Sequence, residues 1–215
     1  MVLSGKRVLT VVSGASRGIG KEIAVQVSKR VAPDSEMGPF ESAFVFHNCG
    51  TAGDVSKRST ELSNAEQWQN YLNVNLIAMV QFNNLILEAI TKEVAPHRFI
   101  VNITSLVAIQ GFPSLTQYSV GKAAREAFFR VLAVEDDTIK VLSYSPGPVD
   151  TAMHDVIAKE SFDEGIRAAF SQNTSLDHEA HRCTLTPTQT VVKMLKHLEN
   201  DTFQSGARID YFDDE

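Results

Sequence analysis

Apolar positions along the chain fall into two kinds of segment that alternate. Short runs at Arg7–Val12, Ser42–His47, Phe99–Ile103 and Lys140–Ser145 are rich in β-branched and aromatic residues. Their length and composition are those of buried strands. Between them lie stretches in which apolar residues recur every three or four positions, the helical period. The first spans about Arg17 to Val31, with Ile19, Ile23, Val27 and Val31 in one stripe. The second starts at Ser63, read as an N-cap with Glu66 three residues on, a capping box. It runs through Trp68, Leu72, Leu76, Met79 and Phe82 to about Val94. A third follows Gln117 through Ala123, Ala124, Phe128, Val131, Leu132 and Val134. Asp155–Asp177 is a polar helical stretch suited to a lid. A last helix opens at Thr186-Pro187 and closes near Glu199, before a final strand at Arg208–Asp210. The segment Ala32–Glu41, with two prolines and a glycine, reads as a loop. Strands alternating with helices predict an α/β fold on a parallel sheet.

Two junctions carry candidate chemistry. Between the first strand and helix lies Ser13-Gly14-Ala15-Ser16-Arg17-Gly18-Ile19-Gly20. Strand, glycine turn, helix is the setting of a dinucleotide site. Gly14 permits a tight turn, Gly18 lets backbone amides approach a pyrophosphate, and Gly20 allows close helix–strand packing. The helix start adds N–H donors and its positive dipole end. Arg17 is a candidate for a 2′-phosphate, favouring NADP over NAD; the alternative is an exposed cation at a helix start. The second junction follows Phe99–Ile103: Thr104-Ser105, a loop with Gly111 and Pro113, then Tyr118 and Lys122 four residues apart. That spacing puts both on one helical face. A lysine ammonium there favours the phenolate, lowering the tyrosine pKa. Ser105, at a strand end, is placed to hydrogen-bond the same substrate oxygen.

Composition narrows the field. The 215 residues suit one domain with a sizeable core; 43% are hydrophobic and 21% charged, as in a soluble globular protein. A net charge of −6 and an acidic end at Asp210–Glu215 argue against nucleic acid, which needs a basic face. No apolar run reaches the length of a membrane span, and no secretory leader follows Met1. Two cysteines, Cys49 and Cys183, make a disulfide framework improbable and fit a reducing cytoplasm. Cys49 reads as a small core residue at a strand end rather than a nucleophile. His178, His181 and Cys183 have partial metal-ligand spacing, but no fourth ligand follows, so no metal is expected.

Taken together these residues resemble the short-chain dehydrogenase/reductase family. Its T-G-x-x-x-G-x-G turn is matched by Ser13-Gly14 to Gly20, its N-N-A-G by His47-Asn48-Cys49-Gly50, and its P-G turn by Pro146-Gly147. Ser105, Tyr118 and Lys122 have the family's catalytic spacing, with Asn75 as the fourth member. Segments Gly53–Lys57, Tyr118–Glu135, Tyr144–Met153 and Ser205–Asp210 resemble the sepiapterin reductase branch. The resemblance implies a single Rossmann-like, doubly wound parallel sheet over 1–215. It implies NADP(H) held by Gly14, Ala15, Ser16, Arg17, Gly18, Ile19, Gly20, Asn48, Lys122, Val149, Asp150, Thr151, Ala152, Met153 and His154. It implies catalysis by Ser105, Tyr118, Lys122 and Asn75, the last supporting a water relay. A pterin side-chain ketone would meet Ser105, Tyr118 and Gly147, with Asp210 anchoring the amino-pyrimidine edge. It further implies a homodimer through the two long helices.

One departure stands out. In the family's strand order, 3-2-1-4-5-6-7, the N-N-A-G motif ends strand four. Here it ends the second strand, so the segment for strands two and three is absent and the sheet is shortened at one edge. The first strand should then be an edge strand. The first helix must cross back over it, with a left-handed crossover if it keeps its usual face. The adenosine side of the cofactor loses its floor. Three functional readings follow: a pterin ketone reductase, a general carbonyl reductase, or a catalytically impaired chain that serves as a dimerising partner.

Overall fold

The computed structural model describes residues 2–32, 39–171 and 184–213. Strand β1 (Val8–Val12) leads through a glycine turn to α1 (Gly18–Ser28) and then β2 (Ser42–His47). Helices α2 (Ala65–Leu72) and α3 (Ala78–Ala89), joined by a π-turn at Asn73–Ile77, precede β3 (His97–Ile103). Then follow α4 (Thr116–Glu135), β4 (Ile139–Ser145), α5 (Ala152–Glu160), α6 (Glu164–Ser171), α7 (Pro187–Asn200) and β5 (Ala207–Asp210). The five strands form one parallel sheet in the order β1-β2-β3-β4-β5.

β1 is indeed an edge. All five of its residues are only half buried, whereas all six of β2 are buried. Alternate residues of β2–β4 feed two separate cores. Phe44, Phe46, Phe99, Val101, Leu142 and Tyr144 face α1 and α7. Ala43, Val45, Ile100 and Val141 face α3 and α4, which supply Met79, Ile90 and Phe129. Helices α1, α3 and α4 each carry the chain one strand further in the same direction, yet α1 lies on the opposite face. Its crossover therefore has the opposite hand. One of the two senses is thus the left-handed one that parallel crossovers rarely take. The reason lies in packing. Ile23 and Val27 of α1 complete the core beneath Met194, Leu195 and Leu198 of α7, and moving the helix would strand both faces.

Several boundaries differ from the periodicity. α1 stops at Ser28 rather than Val31. The second helical stretch starts at Asn64, not Ser63; the Asn64 carboxamide accepts the Gln67 N–H at 3.0 Å, so Glu66 completes no capping box. That stretch is broken by the π-turn and ends at Ala89. Thr186 does form a capping box with Gln189. The expected lid is two helices, α5 and α6, with residues 172–177 outside the described residues. His178, His181 and Cys183 also lie outside them. Among the described residues, no cluster of His, Cys, Asp or Glu has metal-site geometry, and no helix is long and apolar enough to cross a membrane.

At the end of β2, His47 is buried against Phe82 and Phe129, its Nε2 3.0 Å from the Asn83 carboxamide oxygen. Burial and the nearby Arg125 guanidinium lower its pKa to about 4 from 6.5. The folded state holds the imidazole neutral, so this part of the stability is complete above the unfolded value. It is lost as the pH falls from about 6.5 towards 4, by on the order of 3 kcal/mol. Urea denaturation across that range should show this loss in the parent chain and a flatter profile in His47→Gln.

Candidate active site

The glycine turn is built onto the end of β2. Ser13 Oγ accepts the N–H groups of Asn48 and Cys49 at 3.0 and 3.1 Å and donates to the Phe46 carbonyl. The Asn48 carboxamide donates to the carbonyls of Ser13 and Gly14, at 3.1 and 3.4 Å. Gly14 and Gly18 sit at φ +71° and +57°, a region costly for side-chain-bearing residues. A Cβ on Gly20 would lie 2.3 Å from the Gly14 carbonyl oxygen, so α1 meets the turn in direct backbone contact. Gly14, Ala15, Ser16 and Arg17 are exposed, and no side chain caps the α1 N-terminus. These open N–H groups fit a pyrophosphate. Ile19 instead packs into the core below.

Across the sheet edge, α4 presents Tyr118, Lys122, Arg125 and Phe129 at spacings of four, three and four, one stripe towards the strands. Lys122 Nζ donates to the Ile103 carbonyl at 2.6 Å and lies 5.6 Å from the Tyr118 ring centre. Gly121, beside Lys122, lets Tyr71 of α2 close on α4, since a Cβ there would sit 2.4 Å from the Tyr71 hydroxyl. Ser105 caps the turn Leu106–Ala108, and its hydroxyl lies close enough to the Tyr118 hydroxyl to lower that group's pKa. The Tyr118 ring rests in an apolar group with Val107, Leu115, Met153 and Ile157, so α5 walls the site.

The electrostatics correct one expectation. Burial raises the Tyr118 pKa, against the opposing pulls of the Ser105 hydroxyl and the Arg125 guanidinium. Lys122 is itself pushed well below its ordinary value, by burial and then by Arg125. The lysine four residues on is not the cation that favours the phenolate; the arginine seven residues on is. Tyr118 consequently holds its proton through neutral pH, as a proton donor should.

Arg125 escaped the sequence reading. Fully buried, it donates through Nε to the Asn102 carboxamide oxygen at 3.0 Å. Through its two terminal nitrogens it reaches the Cys49 carbonyl at 2.9 Å and the His47 carbonyl at 2.5 Å. Its signal was the 118-122-125-129 stripe, which places it inward. Cys49 is corrected too: it is exposed, two residues beyond the buried run of β2. Asn75, in the π-turn, is buried; its oxygen accepts the Thr51 N–H at 2.7 Å and its nitrogen donates to the Tyr71 carbonyl at 2.9 Å. It braces the loop after β2.

The third wall follows β4. Gly147 has φ +73°, and a Cβ there would lie 3.0 Å from the Phe212 ring. Val149 bridges Leu185, and the Asp150 N–H donates to the Leu185 carbonyl. Thr151 caps α5 by accepting the His154 N–H, and its methyl would lie 3.4 Å from a Cβ on Gly18, bringing this segment against the glycine turn. Ala152 is exposed at the start of α5, while His154 is buried against Phe170. Asp210 ends β5, buried, with Oδ1 accepting the Phe212 N–H at 3.1 Å and Oδ2 without a hydrogen-bond partner.

Replacing Arg125 by leucine should leave three acceptors unanswered and cost on the order of 3 kcal/mol. Denaturant titration of Arg125→Leu beside Arg130→Leu, an exposed position on the same helix, measures it.

Residues 41–186 match a family model described as enoyl-(acyl carrier protein) reductase. The chain is 37% identical over 174 residues to sepiapterin reductase of Bos taurus, covering 81% of this chain and 63% of that enzyme. It therefore spans less than two thirds of that relative's length. The Rattus norvegicus sepiapterin reductase is 36% identical, with 93% and 74% covered. Among solved structures, levodione reductase superposes with a TM-score of 0.75 at 18% identity, covering 96% of each chain. A short-chain dehydrogenase from Shigella flexneri complexed with NADP gives 0.71 at 19%, covering 98% of each. These likenesses establish the fold, and the closer relatives establish the lineage: the chain belongs to the short-chain dehydrogenase/reductase family.

Proposed function

We propose that the chain is an NADPH-dependent carbonyl reductase that acts on a pterin side-chain ketone, as a sepiapterin reductase. The observation that carries this reading is Tyr118 beside Lys122 on α4, which starts beyond the same C-terminal strand ends as the glycine turn, with Ser105 at the end of β3. The Shigella flexneri neighbour was solved with NADP, and the uncapped turn from Gly14 to Gly20 has the shape and donors for that pyrophosphate. Arg17 is exposed where a 2′-phosphate would need a cation. Asn48 supports the turn, while Val149, Asp150, Thr151, Ala152, Met153 and His154 would border the cofactor. Bound NADPH supplies the hydride that adds to the ketone carbon. Tyr118 would deliver the proton to the ketone oxygen, Ser105 would donate a hydrogen bond to that oxygen, and Lys122 would hold the ribose. The product is the secondary alcohol. Asn75 keeps the loop after β2 in place behind Lys122. Asp210 and Gly147 would frame the pterin ring, the carboxylate accepting its N–H groups.

A raised tyrosine pKa fits reduction, where the donor must be protonated. The alkaline limb of kcat should lie above the ordinary phenol value of 10.0, because the acid form is lost only as pH rises through the higher value. Tyr118→Phe should cut sepiapterin-dependent NADPH oxidation by roughly 10²–10⁴-fold with an unchanged circular-dichroism spectrum. Full turnover in that variant overturns the assignment.

The exposed apolar side chains Val74, Ile77 and Leu85, with Val120, Val131 and Val134 on α4, suit a homodimer through the long helices. One observation favours a second reading. With β1 as the sheet edge, no strand among the described residues lies beyond it to floor the adenosine. A chain that fails to hold NADPH would act only as a dimerising partner. Titration followed by NADPH fluorescence separates the two: saturation at micromolar cofactor supports the reductase, and no binding supports the partner.

A further inference from the structure

We infer that Arg208, held by Glu126, is the positioning residue that aims Asp210 at the substrate. The inference rests on the pterin reading of that carboxylate. Arg208 and Asp210 are two residues apart on β5, so both side chains leave the sheet on the α4 side. From α4, Glu126 turns inward with only 4% of its side chain exposed. Its Oε1 accepts from the Thr104 hydroxyl at 2.6 Å and from Arg208 Nε at 3.2 Å. The other end of the guanidinium, Nη2, lies 3.6 Å from Asp210 Oδ2, and both atoms are buried without a hydrogen-bond partner. Arg130 approaches Glu126 from outside at 3.8 Å, and Asp213 accepts the Asp210 N–H at 2.7 Å. Lys193 of α7 is committed to the carbonyls of Tyr211 and Asp213.

The result is a chain of contacts from the ketone end of the site to the ring end: Thr104, next to Ser105, then Glu126, Arg208 and Asp210. Each link has a physical task. Glu126 fixes the guanidinium by a charge-assisted bond, and Thr104 fixes Glu126 to the end of β3. Arg208 supplies the compensating charge a buried carboxylate needs, because Asp213 adds a second negative charge nearby and Lys193 faces elsewhere. At 3.6 Å the pair attracts without a full hydrogen bond, so Oδ2 keeps its lone pairs for a ligand donor. Removing the guanidinium leaves a buried carboxylate uncompensated, and the turn Tyr211–Asp213 relieves this by re-aiming the side chain. Ring binding suffers; proton transfer at Tyr118 does not.

Steady-state kinetics with sepiapterin and with a simple diketone test this. Arg208→Gln should raise the sepiapterin KM about tenfold while kcat changes less than twofold, and should lower the sepiapterin-to-diketone ratio of kcat/KM by the same factor. Arg208→Lys, whose single ammonium cannot serve both acids, should fall between the parent and Arg208→Gln. A sepiapterin KM at the parent value in both variants overturns the inference, as does an equal loss on both substrates. If Arg208→Gln does not fold, Arg208→Lys is read alone: a raised KM supports the inference and a parental one overturns it. Asp210→Ala separates the two layers. If it leaves sepiapterin kinetics unchanged, the pterin reading falls and takes this one with it; if it raises KM while the Arg208 variants do not, only the Arg208 inference falls.

Discussion

A single buried guanidinium ties the working end of this molecule together. Arg125 reaches the His47 carbonyl at the end of β2, the Cys49 carbonyl in the loop beyond it and the Asn102 carboxamide on β3, all from α4. Strand ends in a parallel sheet carry carbonyls that no neighbouring strand satisfies, and a buried one left alone is costly. Here one side chain answers the His47 carbonyl and, in the loop beyond, that of Cys49, and locks the helix that bears Tyr118 against the strand onto which the glycine turn is built. The same charge lies close enough to push Lys122 down and to oppose the effect of burial on Tyr118. Geometry and proton affinity at the site thus share one source.

The second constraint is topological. A sheet that begins at its own edge gives α1 only two faces to choose from. Taking the face that α3 and α4 occupy would have given its crossover the same hand as theirs but removed Ile23 and Val27 from the core they share with α7. It would also have pulled Gly20 away from the Gly14 carbonyl. Handedness yields to packing because the preference is a tendency of twisted strands, whereas an exposed apolar stripe and an empty core cost several kcal/mol outright.

Much of this was legible beforehand, and the exceptions have physical reasons. The β-branched and aromatic runs marked the first four strands, the last was read at Arg208–Asp210, and the motif at His47–Gly50 suggested which strand of the family β2 matches. The spacing of Tyr118 and Lys122 placed them on one face. What spacing could not show was the depth of burial, and burial reverses the expected effect on Tyr118. Arg125 was hidden because a charged residue on a helix is ordinarily solvated; its position in the stripe was informative and its type was misleading. The π-turn at Asn73–Ile77 is invisible to a 3.6-residue period, since it adds a residue without disturbing the apolar count. Cys49 looked interior because strand patterning was carried two residues too far.

The two faces of the sheet are unlike. The side under α1 and α7 is closed by hydrocarbon, with Leu3, Ile23, Met194, Leu195 and Leu198 at its centre. The side under α4 gives way, towards the strand ends, to a belt of polar groups from His47 and Asn102 to Thr104, Glu126 and Arg208. Endurance and selectivity are therefore lodged in separate layers of one small sheet. Drift in the hydrocarbon layer alters how long the molecule survives, while drift in the polar belt alters what it recognises, so a lineage built on this plan can tune one with little disturbance to the other.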